Sequence, residues 1–355
     1  LPYCRRCGTK LDEDAHFCHR CGTPVAVYVP PPARAVPDRP IRKEPVVIAA
    51  VALIAILLVA VVVVAIIAAP TGSVNFNQTD LDSHQGINTL NLNFQADNAQ
   101  VDIITQNIPS QNILIITSAS GSKGILDSNN PVKVTFTNET QNNVLTINTK
   151  VTEANGFFKN NFHVTCTIYV NPALNLNLNV TTQAGKITLD SEKPAVFQSV
   201  NLQAKAGNVE VNLQNATVPG NFVVKTSAGS VYYGLSQVSV LGNQTVDLQS
   251  NAGSVTVDIT QTKTMQGNLH VNARTDVGSV NVNLVIDGDV GAKLVSNSSL
   301  GSIHTDTQNF SGDQSPIQSN NYPAASNIEI NSQTNLGGIN INGAYQSSSG
   351  PSIKN

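Results

Sequence analysis

The chain has no tryptophan and one methionine in 355 residues, and only 12% of those residues are charged. Its formal net charge of −3, with no basic block, leaves no electrostatic footprint for nucleic acid, so no nucleic-acid partner is expected. Beyond residue 21 there is a single cysteine, Cys166, so the long C-terminal part cannot close an internal disulfide. Asparagine is absent from residues 1–45 and abundant after residue 70. Polar side chains are missing altogether from residues 46–69, VVIAAVALIAILLVAVVVVAIIAA. As a helix, that run is about 36 Å long, enough for a hydrocarbon core of about 30 Å. It excludes a purely soluble chain and predicts one retained membrane span. A cleaved signal peptide fits worse, because the run is too long for an h-region and sits behind a 45-residue arm.

The run separates two unlike segments. Residues 1–45 carry eight Lys/Arg against five Asp/Glu, and residues 70–355 carry twelve against eighteen. Arg34, Arg39, Arg42 and Lys43 crowd the N-terminal flank, whereas the first basic residue on the far side is Lys123. The positive-inside bias predicts a single-pass protein of the cell membrane, with its N-terminus in the cytoplasm and its C-terminal domain extracellular. Four of the five cysteines lie on the side predicted to be reducing, which agrees.

Those four, Cys4, Cys7, Cys18 and Cys21, form two Cys-x-x-Cys pairs, each followed by glycine. Two thiolates at that spacing grip one metal from a tight turn, and glycine gives the turn its positive φ. Two such turns supply the closed tetrahedral set of a structural zinc site, with no open position for catalysis. A segment of this size buries too little to fold unaided, so zinc must supply the folding free energy, about 10–16 kcal/mol in such peptides. His16 and His19 read as solvent-facing. Residues 3–24 resemble the short double-knuckle zinc ribbons at the N-termini of many prokaryotic membrane proteins. The expected domains are a zinc ribbon at 1–24, a Pro-rich linker at 25–45 and a transmembrane helix at 46–69.

From residue 180 a pattern recurs: a small or apolar residue, Gly, a polar residue, then alternation beginning with Val or Ile. It centres on Gly185, Gly207, Gly229, Gly253, Gly278, Gly301 and Gly337, at spacings of 22, 22, 24, 25, 23 and then 36. Each unit holds two period-2 stretches that put Val, Leu and Ile on one face, a face that only stacking on neighbouring units can bury. The fold class expected is all-β. Residues 180–345 are read as β-solenoid repeats and 70–179 as a strand and hairpin part of the same outer domain. Residues 346–355 are read as a disordered tail. The run FHVTCTIYVNPALNLNLNVTTQAGKITLD, followed by repeated AG-x-V turns, resembles the "putative adhesin" family of prokaryotic surface proteins with β-strand repeats. That resemblance implies a solenoid-like extracellular domain and contributes no functional residues.

No nucleophile, phosphate-loop or metalloprotease motif occurs, so the chain reads as a non-enzyme. Cys166 shares a strand face with Val164, Ile168 and Val170 and reads as a core residue. Asp287-Gly288-Asp289 reads as a turn. Two insertions place aromatics on loops, Phe157 and Phe158 in one and Phe310 and Tyr322 in the other. They are candidates for partner contact or for folding back over the stack. The resulting expectation is a membrane-anchored surface protein serving adhesion or envelope scaffolding, with a surface glycan or envelope protein as partner. The alternatives are a signalling or assembly factor that docks a cytosolic protein at the zinc ribbon and, third, a polysaccharide-active enzyme.

Overall fold

The computed structural model describes residues 3–25, 45–68, 72–123, 132–153, 161–313 and 315–346. Residues 26–44 of the expected linker, Phe157, Phe158 and the tail from residue 347 lie outside them. The chain divides into two compact units, Leu1–Val62 and Val63–Asn355. Helix α1 (Pro45–Ala68, 24 residues) carries the apolar run as far as Ala68. Side chains are described only in its middle part, and among the described residues no helix is by itself long and apolar enough to cross a membrane.

After α1 the described chain is mostly strand. First come β1 (Gly72–Asp82), β2 (Thr89–Asn98), β3 (Gln100–Thr105), β4 (Ile113–Lys123), β5 (Val132–Gln141), β6 (Val144–Glu153) and β7 (Asn161–Val170). The repeats follow as β8 and β9 (Asn175–Ala184, Ile187–Asp190), then β10 and β11 (Val196–Ala206, Val209–Gln214). Next are β12, β13 and β14 (Thr217–Val218, Phe222–Ala228, Val231–Ser236), then β15 and β16 (Ser239–Ala252, Val255–Gln261). β17 and β18 (Gln266–Val277, Val280–Asp287) precede β19 and β20 (Val290–Leu300, Ile303–Gln308). The short β21 and β22 (Phe310–Ser311, Ile317–Ser319) lead to β23 and β24 (Ser326–Leu336, Ile339–Gln346).

Each repeat gives one strand to each of two parallel sheets. Alternation sends every second side chain inward, so Val209, Val231, Val255, Val280 and Ile339 form one fully buried row. Val200, Phe222, Val246, Val271 and Ile330 form the facing sheet's counterpart. Phe197, Phe222 and Tyr233 meet edge to face in this core, with ring centroids 6.0–6.1 Å apart.

The outer faces explain the asparagine content. Parallel sheets are usually covered on both sides, whereas here outward asparagines bridge successive coils. Asn179 donates to Asn93 at 3.3 Å, Asn201 to Asn179 at 2.9 Å, and Asn342 to Asn283 at 2.9 Å. Such ladders satisfy side-chain amides along the stack itself.

At the corners a column of glycines runs through the stack, with φ between +123° and +157°. A Cβ on Gly253 would stand 2.0 Å from the carbonyl oxygen of Gly229, and the same clash recurs from coil to coil. The residue three before most of these glycines is Ser or Thr, and its hydroxyl donates to the previous glycine carbonyl. Thr226 reaches Gly207 at 2.7 Å, Ser250 reaches Gly229 at 2.8 Å, and Thr275 reaches Gly253 at 2.7 Å.

The spatial order differs from the chain order at both ends. The eleven-stranded sheet runs β1-β4-β7-β3-β9-β11-β14-β16-β18-β24-β20. The thirteen-stranded sheet runs β21-β22-β19-β23-β17-β15-β12-β10-β8-β2-β6-β5, with β13 beside β10 and β15. The first coil, β2 with β3, is therefore inserted between β6/β7 and β8/β9. The last coil, β23 with β24, is inserted between β17/β18 and β19/β20. This corrects the division at 179/180, because β2, β3, β6 and β7 are coils of the same two sheets. Antiparallel strands close both sheets at one end, through β4 and β5, and the thirteen-stranded sheet at the other, through β22, whereas the eleven-stranded sheet ends there on the parallel strand β20.

Candidate metal centre

The N-terminal unit repeats itself at an offset of fourteen residues: Tyr3-Cys4-x-x-Cys7-Gly8-Thr9 and Phe17-Cys18-x-x-Cys21-Gly22-Thr23. In each half the glycine amide donates to the first cysteine's carbonyl, Gly8 to Cys4 at 2.9 Å and Gly22 to Cys18 at 2.8 Å. Both glycines hold φ near +70°, which closes the knuckle and turns the second cysteine back toward the first. Single bridges, Tyr3 with Lys10 and Phe17 with Pro24, finish each hairpin.

The knuckles bring four sulfurs together. Cys4 Sγ lies 3.5 Å from Cys21 Sγ, Cys7 Sγ lies 3.6 Å from Cys18 Sγ, and all four fall within 4.8 Å of one another. A tetrahedral site with Zn–S bonds of about 2.3 Å requires sulfurs about 3.8 Å apart, so the cage fits zinc. The donors are all thiols, and His16 and His19 are exposed and outside the cluster. Among the described residues of 3–25, Cys4, Cys18 and Leu11 are the only buried ones, so the sulfur cage stands where a hydrophobic core would be.

Two threonines complete the cage, and the spacing of the cysteines gave no hint of them. The Thr9 hydroxyl donates to Cys7 Sγ at 3.3 Å, and the Thr23 hydroxyl to Cys21 Sγ at 3.2 Å. The Thr9 hydroxyl, then its backbone amide, hold the Cys7 thiol down at about 6, and Thr23 lowers Cys21 in the same way. Both exposed thiols are thereby biased toward the metal-binding thiolate. The Cys-Gly-Thr repeated at offset fourteen was the available signal. Zinc, when bound, supplies folding free energy here, and four protein ligands leave it no substrate position.

The other singled-out residues are dispersed. Cys166 is fully buried, and burial pushes its thiol up to about 12, as a core residue requires. Phe310 packs against the core and the Tyr322 hydroxyl donates to Glu329 at 2.7 Å, so neither stands on a freely projecting loop. Asp287 accepts from the Gly288 amide in a turn. Asp82 is buried and accepts from Asn138 at 2.8 Å and Asn112 at 3.0 Å, with His84 Nδ1 at 2.6 Å, pinning the end of the stack.

Residues 3–25 match the model of a zinc-ribbon domain, and residues 87–335 match that of the family described as Toastrack DUF4097. No curated protein matches at a significant level. Among solved structures, a "putative cell adhesion protein" from Clostridium sporogenes is 13% identical, with 76% of this chain and 100% of that one covered and a TM-score of 0.33. A "putative adhesin" from Bacteroides fragilis is 15% identical, covering 77% and 98%, at 0.35. One from Parabacteroides distasonis is 13% identical, covering 76% and 97%, at 0.28.

Proposed function

The chain belongs to the Toastrack DUF4097 family, and from that premise we propose that it is a single-pass membrane protein displaying a non-catalytic β-stack outside the cell for adhesion or envelope scaffolding. What supports this reading is the sequence: the run 46–69 has 24 residues without a polar side chain, would be about 36 Å long as a helix, and is preceded by Arg34, Arg39, Arg42 and Lys43. In this reading the zinc ribbon is cytoplasmic, where its thiols stay reduced, and the C-terminal domain is extracellular. Supporting it, Cys166 is a buried lone thiol and the outer domain needs no disulfide. The stack's laddered polar faces suit a scaffold held at a surface. The test is tag accessibility on intact cells. A tag after residue 355 should bind antibody without permeabilisation, and one before residue 1 only with it. The reverse pattern would sink the orientation, and recovery of the chain in the soluble fraction would sink the anchor.

A second reading, docking of a cytosolic protein by the ribbon, is favoured by Tyr3 and Phe17, 63% and 65% exposed at equivalent places on the two knuckles. Exposed aromatics at paired positions suit a protein contact. In this reading Tyr3→Ser with Phe17→Ser abolishes co-purification of a cytosolic protein while zinc content stays unchanged.

A further inference from the structure

From β9 to β24, one row on the outer face of the eleven-stranded sheet is broken at a single glycine. A row of side chains crosses its coils through Asp190, Asn212, Gly234, Asp258, Asn283 and Asn342. All but Gly234 carry an amide or a carboxylate. At Gly234 the row opens into a groove of about 440 Å³, walled by residues that include Glu192, Ser236 and Thr260. Tyr232 occupies the gap: a Cβ on Gly234 would lie 2.9 Å from Tyr232 Cε1 and 3.1 Å from its Oη. The ring therefore lies along the strand above the glycine, half-exposed, and its hydroxyl reaches Asp258 Oδ2 at 3.4 Å. Glycine inside a strand marks a place of close approach, and here it lets an aromatic ring lie down among hydrogen-bonding groups.

We propose that this groove binds an uncharged saccharide chain lying across the coils. An aromatic ring on the groove floor offers an apolar surface to the C–H face of a pyranose. Asp190, on one side, already accepts from Asn212 at 2.8 Å and has further lone pairs for sugar hydroxyls; Asp258, on the other, has the same capacity. Adjacent strands are about 4.8 Å apart, close to the rise of one sugar in an extended chain, so successive rings can meet successive coils. A shared metal ion is a poorer occupant. Asp190 and Asp258 are three strands apart, about 14 Å, whereas calcium ligands lie within about 2.6 Å of the ion. Anionic glycans are disfavoured by Asp190, Glu192, Glu210 and Asp258, since the nearby Lys186 is already paired with Glu210 at 2.5 Å.

This inference deepens the adhesion reading and rests on it. The test is calorimetric titration of the full-length protein, in a detergent without a sugar headgroup, with chitotetraose, cellotetraose and the anionic trigalacturonate. At least one neutral tetrasaccharide should bind saturably and trigalacturonate should not. Tyr232→Ala should weaken binding about tenfold and Tyr232→Phe less than about threefold, with unchanged thermal melting. Failure of both neutral sugars to bind, binding untouched by Tyr232→Ala, or equal binding of trigalacturonate would each overturn the proposal. If the tag after residue 355 is exposed on cells while both sugars fail, the groove inference alone falls. If the tag is hidden, the display reading falls with it.

Discussion

The zinc knuckles and the β-stack solve one problem, cohesion of a small repeated unit, in opposite ways. Each unit turns on a glycine with positive φ, yet the two kinds of glycine differ in their surroundings. A Cβ on Gly8 meets nothing within 4 Å, whereas one on Gly253 would strike a backbone carbonyl at 2.0 Å. In the knuckle, glycine supplies only a dihedral angle, and a metal holds two copies together. In the stack it also supplies space, because another coil lies directly against it. Two copies bury one leucine and two cysteines, whereas the stacked coils share a continuous core of valine, leucine and isoleucine. Repeat number decides whether a unit needs an ion.

The largest expected effect breaks this comparison at the metal. Chelation, or Cys4→Ser, removes a contribution of about 10–16 kcal/mol and should collapse the dispersed amide resonances of residues 3–25. Melting of the stack should not move. A stack destabilised by chelation would show that its cohesion is not its own. Next, Gly253→Ala should cost more than about 4 kcal/mol in denaturant titrations of the stack, through the carbonyl clash. Gly8→Ala should cost the knuckle only about 1–2 kcal/mol, read as weaker zinc affinity, since only its φ is strained. Equal costs would erase the distinction between angle and space.

Acid should separate the two further. Burial raises the Asp82 pKa, but hydrogen bonds from Asn112, His84 and Asn138 outweigh it and leave the carboxyl below its ordinary value. A carboxylate depressed in the folded state stabilises fully above its unfolded pKa, and that stabilisation disappears as pH falls through the lowered value. Stack melting should therefore fall as pH drops below about 4, and Asp82→Asn should flatten part of that slope while costing about 1–3 kcal/mol at pH 7. The smallest effect concerns Tyr233, fully buried with a hydroxyl that has no partner among the described residues. Tyr233→Phe should leave the stability in denaturant titration unchanged or raise it, by no more than about 1 kcal/mol. A clear loss would mean that the hydroxyl is satisfied.

Much of this was legible from spacing. The two Cys-x-x-Cys pairs located the cage, and the inward Val and Leu of stretches such as 209–213 located the core. Less legible were features that depend on which coil meets which. Every coil repeats the same inward and outward alternation, so no local pattern says that Val271 pairs with Ile330 and not with a residue of β19. The 36-residue gap before Gly337 was the trace of that rearrangement. The serine or threonine three before most corner glycines was visible as letters, but its role needs the neighbouring coil's carbonyl. The groove at Gly234 was hidden for a related reason: a glycine in a strand does not announce which side chain will lie across it.

The interior position of the final coil has a consequence for biosynthesis. A ribosome delivers Val290–Gln308 before Ser326–Gln346, yet the later segment separates the earlier one from Gln266–Asp287. The architecture therefore cannot be finished by adding turns in the order of translation; the berth beside β17 has to be free when the last residues arrive. A chain terminated before Ser326 loses a middle rung, not an end one.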